Sequence, residues 1–225
     1  AIATLIAGEM KMNDVIESEH DKKTLCFDIY NASMGLMNAC EAATRMIQSG
    51  SFNNAIVVAS EVEMNAKFFP DELMGVCETA SAVLLEPSAD AASGFGQFVF
   101  KYSHENADAR TVIGRYVDGK PNLRLEEDPD IEALYLKLVP EAVQELLDRE
   151  GLDISQIDVL MPPQFSTEFN MYLAKELGIV ADKVVDLPHE RGDLFTSSVV
   201  YGMQAAAEKG LAKKGDVGLI ITVGS

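Results

Sequence analysis

The chain has 225 residues, of which 48% are apolar, 24% charged and 7% aromatic, with no Trp. That is ordinary globular composition, and it excludes a disordered, collagen-like or disulfide-scaffold protein. Thirty-six acidic residues against 18 basic ones give a net charge of −18, which counts against nucleic acid and anionic membrane as partners. No stretch approaches the roughly 20 apolar residues of a membrane span, and no signal peptide is visible. Cys26, Cys40 and Cys77 are few, odd in number and widely spaced. They read as reduced thiols of a cytoplasmic protein, mostly core filler. With no CxxC pair and only His20, His104 and His189 scattered along the chain, no metal site is expected.

Strand-like and helical runs then alternate. The apolar segment Ala1 to Met10 opens the chain, and Thr24 to Tyr30 reads as a strand. Met34 to Gln48 is helical, with Leu36, Met37, Cys40, Ala43 and Ile47 at three- and four-residue steps, and Gly50 ends it. Asn54 to Ser60 is a short apolar run like the buried strands of parallel sheets, and Ala80 to Leu85 is another. Phe95 to Tyr102 alternates, as an antiparallel or edge strand does. Asp130 to Glu150 is helical, entered through an acidic stretch that suits a helix N-terminus, and Pro140 must kink it or start a second helix. Ile157 to Met161 is a strand, Ser166 to Leu177 a helix, Lys183 to Leu187 a strand, Ser197 to Lys209 a helix and Val217 to Val223 the last strand. The sequence starts at Ala1 and stops at Ser225, directly after an apolar run. It is expected to be a fragment, a processed piece or the ordered part of something longer.

One pattern occurs twice. Phe27-Asp28-Ile29 leads through small residues into a helix, then Gly50, then a strand; Val185-Asp186-Leu187 leads through a glycine turn into a helix, then Gly210, then a strand. Both helices are rich in small residues and Met. The repeat predicts a duplicated α/β layered fold with two paired helices at its centre, residues 1–95 carrying one half and 96–225 the other. Two ordinary βαβ units that coincide are the alternative.

On these residues the chain resembles the thiolase-fold condensing enzymes, most of all 3-oxoacyl-(acyl-carrier-protein) synthase III. The stretch Phe27-Asp28-Ile29-Tyr30-Asn31-Ala32-Ser33-Met34-Gly35-Leu36 is similar to the family's nucleophile segment, and Ala55 to Glu61 to its next strand. Val76 to Ala82 stands where the family has a glycine-rich turn. Met161-Pro162-Pro163-Gln164 resembles the Pro-His-Gln motif. Gly192-Asp193 with Thr196-Ser197-Ser198 resembles the Gly-Asn segment, and Thr222-Val223-Gly224 the final glycine turn. The resemblance runs through nearly the whole chain and implies an αβαβα layered fold, incomplete at both ends, with roughly 80 to 90 further residues before Ala1.

It also implies a chemistry. A Cys at a helix N-terminus takes an acyl group from CoA as its thiolate, a His and an Asn polarise the second thioester, and backbone N–H groups hold the oxyanion. Here Ser33 takes the Cys position, Pro163 the His position and Asp193 the Asn position, while Glu168 stands where the family has a basic carrier contact. A Ser hydroxyl needs a general base to become a nucleophile, and Pro163 cannot be one. Asp193 puts a negative charge where an enolate forms. The catalytic candidates are therefore Ser33, Asp193 and Gly224, and the substrate-side candidates Pro163, Gln164 and His189. Ser33 reads either as an acylated nucleophile or as a helix N-cap; His189 as a substitute base or an idle loop residue; Gln164 as a pocket contact or ordinary loop polarity; Gly224 as an oxyanion donor or a plain turn.

The implied function is an acyltransferase-type protein that handles acyl-CoA, and in addition acyl-carrier thioesters, in fatty acid or polyketide-type metabolism, with condensation altered or lost. A non-catalytic acyl-CoA-binding homologue, or the silent subunit of a heterodimeric synthase, is the alternative. The resemblance implies a homodimer or a heterodimer with a related synthase. No cofactor is called for beyond acyl-CoA as substrate.

Overall fold

The computed structural model describes residues 2–12, 24–90, 92–187 and 193–224, in two units, Ala1–Tyr30 and Asn31–Ser225. The first holds α1 (Ile2–Glu9) and irregular chain over 24–30. The Ala3 N–H donates to Asp28 Oδ1 at 2.8 Å. The strand expected over Thr24 to Tyr30 is irregular chain: it has no strand partner among the described residues.

In the second unit, α2 (Gly35–Gln48) turns Leu36, Met37, Cys40 and Ala43 inward. This three- and four-residue spacing makes one apolar stripe. The stripe packs on Val57 and Ala59 of β1 (Ala55–Glu61). β1 pairs with β2 (Thr79–Leu85). The pairing is antiparallel and half-exposed rather than the doubly buried parallel arrangement expected. Val57 and Ala59 face the core, while Ile56 and Val58 alternate outward, and Ile56 stands opposite Leu84.

The strand expected over Phe95 to Tyr102 is irregular chain. Phe98 is buried in the core there, and Phe95 and Phe100 pack against the same core as partly buried loop side chains. The antiparallel hairpin lies further on, in β3 (Arg110–Val117) and β4 (Lys120–Glu127). Its two-residue turn, Asp118-Gly119, has φ of +50° and +74°, the type of turn that needs a left-handed conformation at both central positions.

α3 (Ile131–Glu150) is one continuous helix that contains Pro140, neither ended nor restarted there. Ile131, Tyr135, Val139, Val143 and Leu147 form an unbroken buried stripe at four-residue steps across the proline. Burial of about 1.5–3 kcal/mol per large side chain offsets the one backbone bond that proline removes. The stripe packs on β5 (Val159–Met161), α4 (Thr167–Glu176) and β6 (Gly218–Ile220) through Leu160, Phe169, Leu173 and Leu219. Ser166 caps α4 by accepting the Phe169 N–H at 2.9 Å. β5 and β6 are parallel. The strand expected over Lys183 to Leu187 contributes a single bridge, Val184 to Leu160, because a 3-10 turn at Ala181–Lys183 occupies its start.

α5 (Ser198–Glu208) follows a 3-10 turn at Phe195–Ser197. Its Val199 is buried in the same core cluster as the α2 stripe, with Val200 and Met203 packed against it. The two small-residue helices thus share one core. Among the described residues, no helix is long and apolar enough to cross a membrane.

Candidate functional site

Two turns aim the site. The chain enters α2 through Ala32, whose φ of +41° is left-handed, a strained conformation for a residue with a Cβ. This tight entry leaves Met34, not Ser33, at the helix cap. The reading of Ser33 as an N-cap therefore fails: its hydroxyl turns away from the helix and donates to the Val223 carbonyl at 2.5 Å. Gly224 is drawn in close behind. A Cβ on Gly224 would lie 2.5 Å from Ser33 Oγ and 3.4 Å from Met34 Cγ, so only glycine fits without displacement there.

The second turn carries Asp193. Phe195 is also left-handed, at φ +46°, and its N–H donates to Asp193 Oδ1 at 2.8 Å. The Asp193 backbone is pinned to Gly75 and Cys77 by hydrogen bonds of 3.0 and 2.8 Å. Glu63 orders that loop by accepting the Met74 and Gly75 N–H groups, both at 3.0 Å.

Ser33, Pro163, Gln164, Asp193, Thr222 and Val223 line one cavity of about 280 Å³. Residues 130 to 190 positions apart in sequence thus meet at the start of α2. His189 lies outside the described residues. Gln164 reaches the cavity wall with its amide already engaged. Its Nε2 donates to the Pro162 and Val185 carbonyls, at 3.0 and 3.1 Å, and its Oε1 accepts from the Leu187 N–H and Asn170. It ties the loop after β5 to the chain before Asp193.

Arg110, which sequence reasoning did not single out, is in the same wall. Its Nη2 lies 3.2 Å from Asp193 Oδ2 and its Nε 3.1 Å from Glu127 Oε2. Its guanidinium lies between the rings of Phe165 and Phe195, 5.5 and 5.6 Å from their centroids, a cation–π sandwich. The hairpin delivers this residue, since Arg110 opens β3 opposite Glu127. The Asp193 charge therefore faces the pocket beside a cation that it shares with Glu127.

Glu61, at the end of β1, accepts hydrogen bonds from both the N–H and the hydroxyl of Thr196. Burial pushes its carboxyl above the usual range, the Asp193 charge adds to this, and the Thr196 bonds oppose it.

The chain also resembles known proteins. The C-terminal domain of 3-oxoacyl-[acyl-carrier-protein] synthase III matches residues 147–225. Beta-ketoacyl-[acyl-carrier-protein] synthase III of Clostridium novyi is 27% identical over 217 residues, covering 90% of this chain and 65% of the relative. The Acholeplasma laidlawii protein of the same name is 23% identical over 203 residues, covering 89% and 60%. This chain thus spans less than two thirds of the length of these relatives. The crystal structure of the Pseudomonas aeruginosa synthase III superposes with a TM-score of 0.77 at 18% identity, over 98% of this chain and 67% of that one. The chain has the thiolase fold of these structures, and its sequence is similar to synthase III. A cysteine-to-serine variant of Xanthomonas campestris OleA, solved with bound lauric acid and lauroyl-CoA, gives a TM-score of 0.76 at 19% identity, over 98% of this chain and 66% of that one.

In this synthase III-like chain, the hydrogen-bonding side chains at positions 33, 163 and 193 are a serine, none and an aspartate held by arginine. Arg110 carried no local signal, being a lone cation some 80 residues from the segment that it contacts. What marked its neighbourhood was the Asp118-Gly119 dipeptide, the hairpin signature that sets it in place.

Proposed function

We propose that this chain binds acyl thioesters at the Ser33 pocket and does not carry out decarboxylative condensation. The hydrogen bond from Ser33 to the Val223 carbonyl carries the reading. A serine nucleophile must hand its proton to a base, and a backbone carbonyl is not one. Condensation further needs donors aimed at the enolate oxygen as CO2 leaves. Pro163 has no side-chain donor, and the Asp193 carboxylate is an acceptor engaged by Arg110 and the Phe195 N–H. The OleA variant in which serine replaces cysteine was solved with lauroyl-CoA, which supports retention of acyl-CoA binding on such a site.

Acyl transfer onto Ser33 is the second reading. It is favoured by the left-handed Ala32, which sets Ser33 at the positive end of α2. Intact-mass analysis and calorimetry with lauroyl-CoA, with CO2 release from malonyl-CoA measured in parallel, separate the two. Binding without adduct or CO2 is expected. An adduct lost in Ser33→Ala would replace the first reading with the second, CO2 release would end the claim of lost condensation, and absence of binding would end both.

The proposed setting is cytoplasmic fatty acid or polyketide-type metabolism, with acyl carrier protein as a further thioester source. The proposed assembly is a dimer, with itself or with a related synthase. The outward Ile56, Val58 and Leu84 on one face of β1–β2 support such an interface. Sedimentation of the full chain tests it, and a monomer at micromolar concentration would refute it.

A further inference from the structure

The Ser33 pocket carries a charge that the acyl-thioester reading leaves unused. Among the described residues, Arg110 and Asp193 are the charged side chains in its wall, and they are not equally open. Phe165 and Phe195 flank the Arg110 guanidinium, Asp193 and Glu127 take its edge, and its side chain is only 12% exposed. The Asp193 side chain is 36% exposed. Each of its oxygens accepts one bond, from the Phe195 N–H and from Arg110, and each keeps a further lone pair for a ligand. A ligand thus meets the acceptor rather than the cation.

The sum of charges points the same way. Two carboxylates, Asp193 and Glu127, share one guanidinium, which leaves this wall net negative. The cavity is about 280 Å³, too small for a second anion to sit apart from Asp193, and like charges repel more strongly there than in bulk water. Ser198 and Thr222 add neutral hydroxyls to the wall, which serve a ketone and a carboxylate alike and do not change its sign. Asp193 is not free to swing aside. Its backbone is bonded to Gly75 and Cys77, and its Oδ1 to the Phe195 N–H.

We propose that Asp193 is a specificity-determining residue, through which the Ser33 pocket takes uncharged acyl groups and rejects those that end in a carboxylate. This deepens the acyl-thioester reading above and rests on it.

The test is calorimetric titration of the full chain with acetoacetyl-CoA and malonyl-CoA, whose acyl groups differ by a methyl in place of a carboxylate oxygen. The parent is expected to bind acetoacetyl-CoA at least about tenfold tighter at roughly 0.05 M salt, and the gap to narrow at roughly 0.5 M, where charges are screened. Because both ligands carry the same CoA phosphates, their ratio isolates the acyl charge. Asp193→Asn is expected to shrink that ratio. So is Glu127→Gln, which leaves the Asp193 contacts to Gly75, Cys77 and Phe195 in place and serves if the first variant does not fold. The proposal is overturned if malonyl-CoA binds as tightly as acetoacetyl-CoA, or if salt leaves the ratio unchanged. It is also overturned if the variants keep the parent ratio or weaken both ligands by the same factor. Binding of lauroyl-CoA but of neither short thioester would overturn this proposal alone. If the parent binds no acyl-CoA at all, the acyl-thioester reading itself has failed.

Discussion

The Ser33 hydroxyl and the Val223 carbonyl, 190 residues apart in sequence, are joined by a hydrogen bond of 2.5 Å. That bond occupies the proton that a nucleophilic serine would have to release. It also draws Gly224 against the side chain it would otherwise serve.

Gly224→Ala is the sharpest probe of this packing. The new methyl group must displace Ser33 Oγ, and overpacking of this kind costs about 1–3 kcal/mol. Ser33→Ala removes the colliding oxygen, so urea melts of the double variant should show less than the sum of the two single losses.

Arg110→Met should destabilise the chain by about 2 kcal/mol, the order of a hydrogen bond to a charged group. It strips the cation from Asp193 and Glu127 and removes the guanidinium from between Phe165 and Phe195. In that background Asp193→Asn should be tolerated better than in the parent. A double-mutant cycle measures the coupling, on the order of 1 kcal/mol.

Glu61 sets a pH dependence. Its carboxyl titrates above its unfolded value because burial disfavours the charge. The folded state therefore holds the proton more tightly, and stability falls as pH rises from the unfolded pKa through the folded one. Glu61→Gln should flatten that fall in denaturation curves taken from about pH 4 to 7. A variant whose curve keeps the parent slope would contradict it.

Gln164→Ala should cost about 3 kcal/mol, since several part-buried bonds of about 1 kcal/mol each disappear together. Hydrogen exchange at Leu187, whose N–H the amide accepts, should quicken more than at Leu160 in β5. Uniform quickening would mean global loosening instead.

Periodicity made most of the helices legible. The stripe Leu36–Cys40–Ala43 is visible in the letters and is buried in the fold, and the helix expected over Asp130 to Glu150 is there, with Tyr135, Val139 and Val143 buried. Strand pairing was less legible, because ladders depend on distant partners. Phe95 to Tyr102 alternates and yet finds no partner strand, while Arg110 to Glu127, dense in charge, makes the hairpin. For the site, Ser33, Pro163, Gln164, Asp193 and Gly224 could be named from the resemblance. What their side chains do could not. The turn of Ser33 away from its helix follows from the left-handed Ala32, and the charge on Asp193 is answered by a residue on another element. Neither is written in the local sequence.

The 190-residue span between Ser33 and Val223 also fixes an order of events during synthesis. At roughly 5–20 residues per second, the start of α2 waits on the order of 10–40 s before its acceptor has been made. Until then the left-handed entry at Ala32 has no latch, and the inner face of α2 lacks β6 and α5. The pocket thus cannot close before Val223 has been made, and over that interval the nascent chain carries an open, sticky groove along α2.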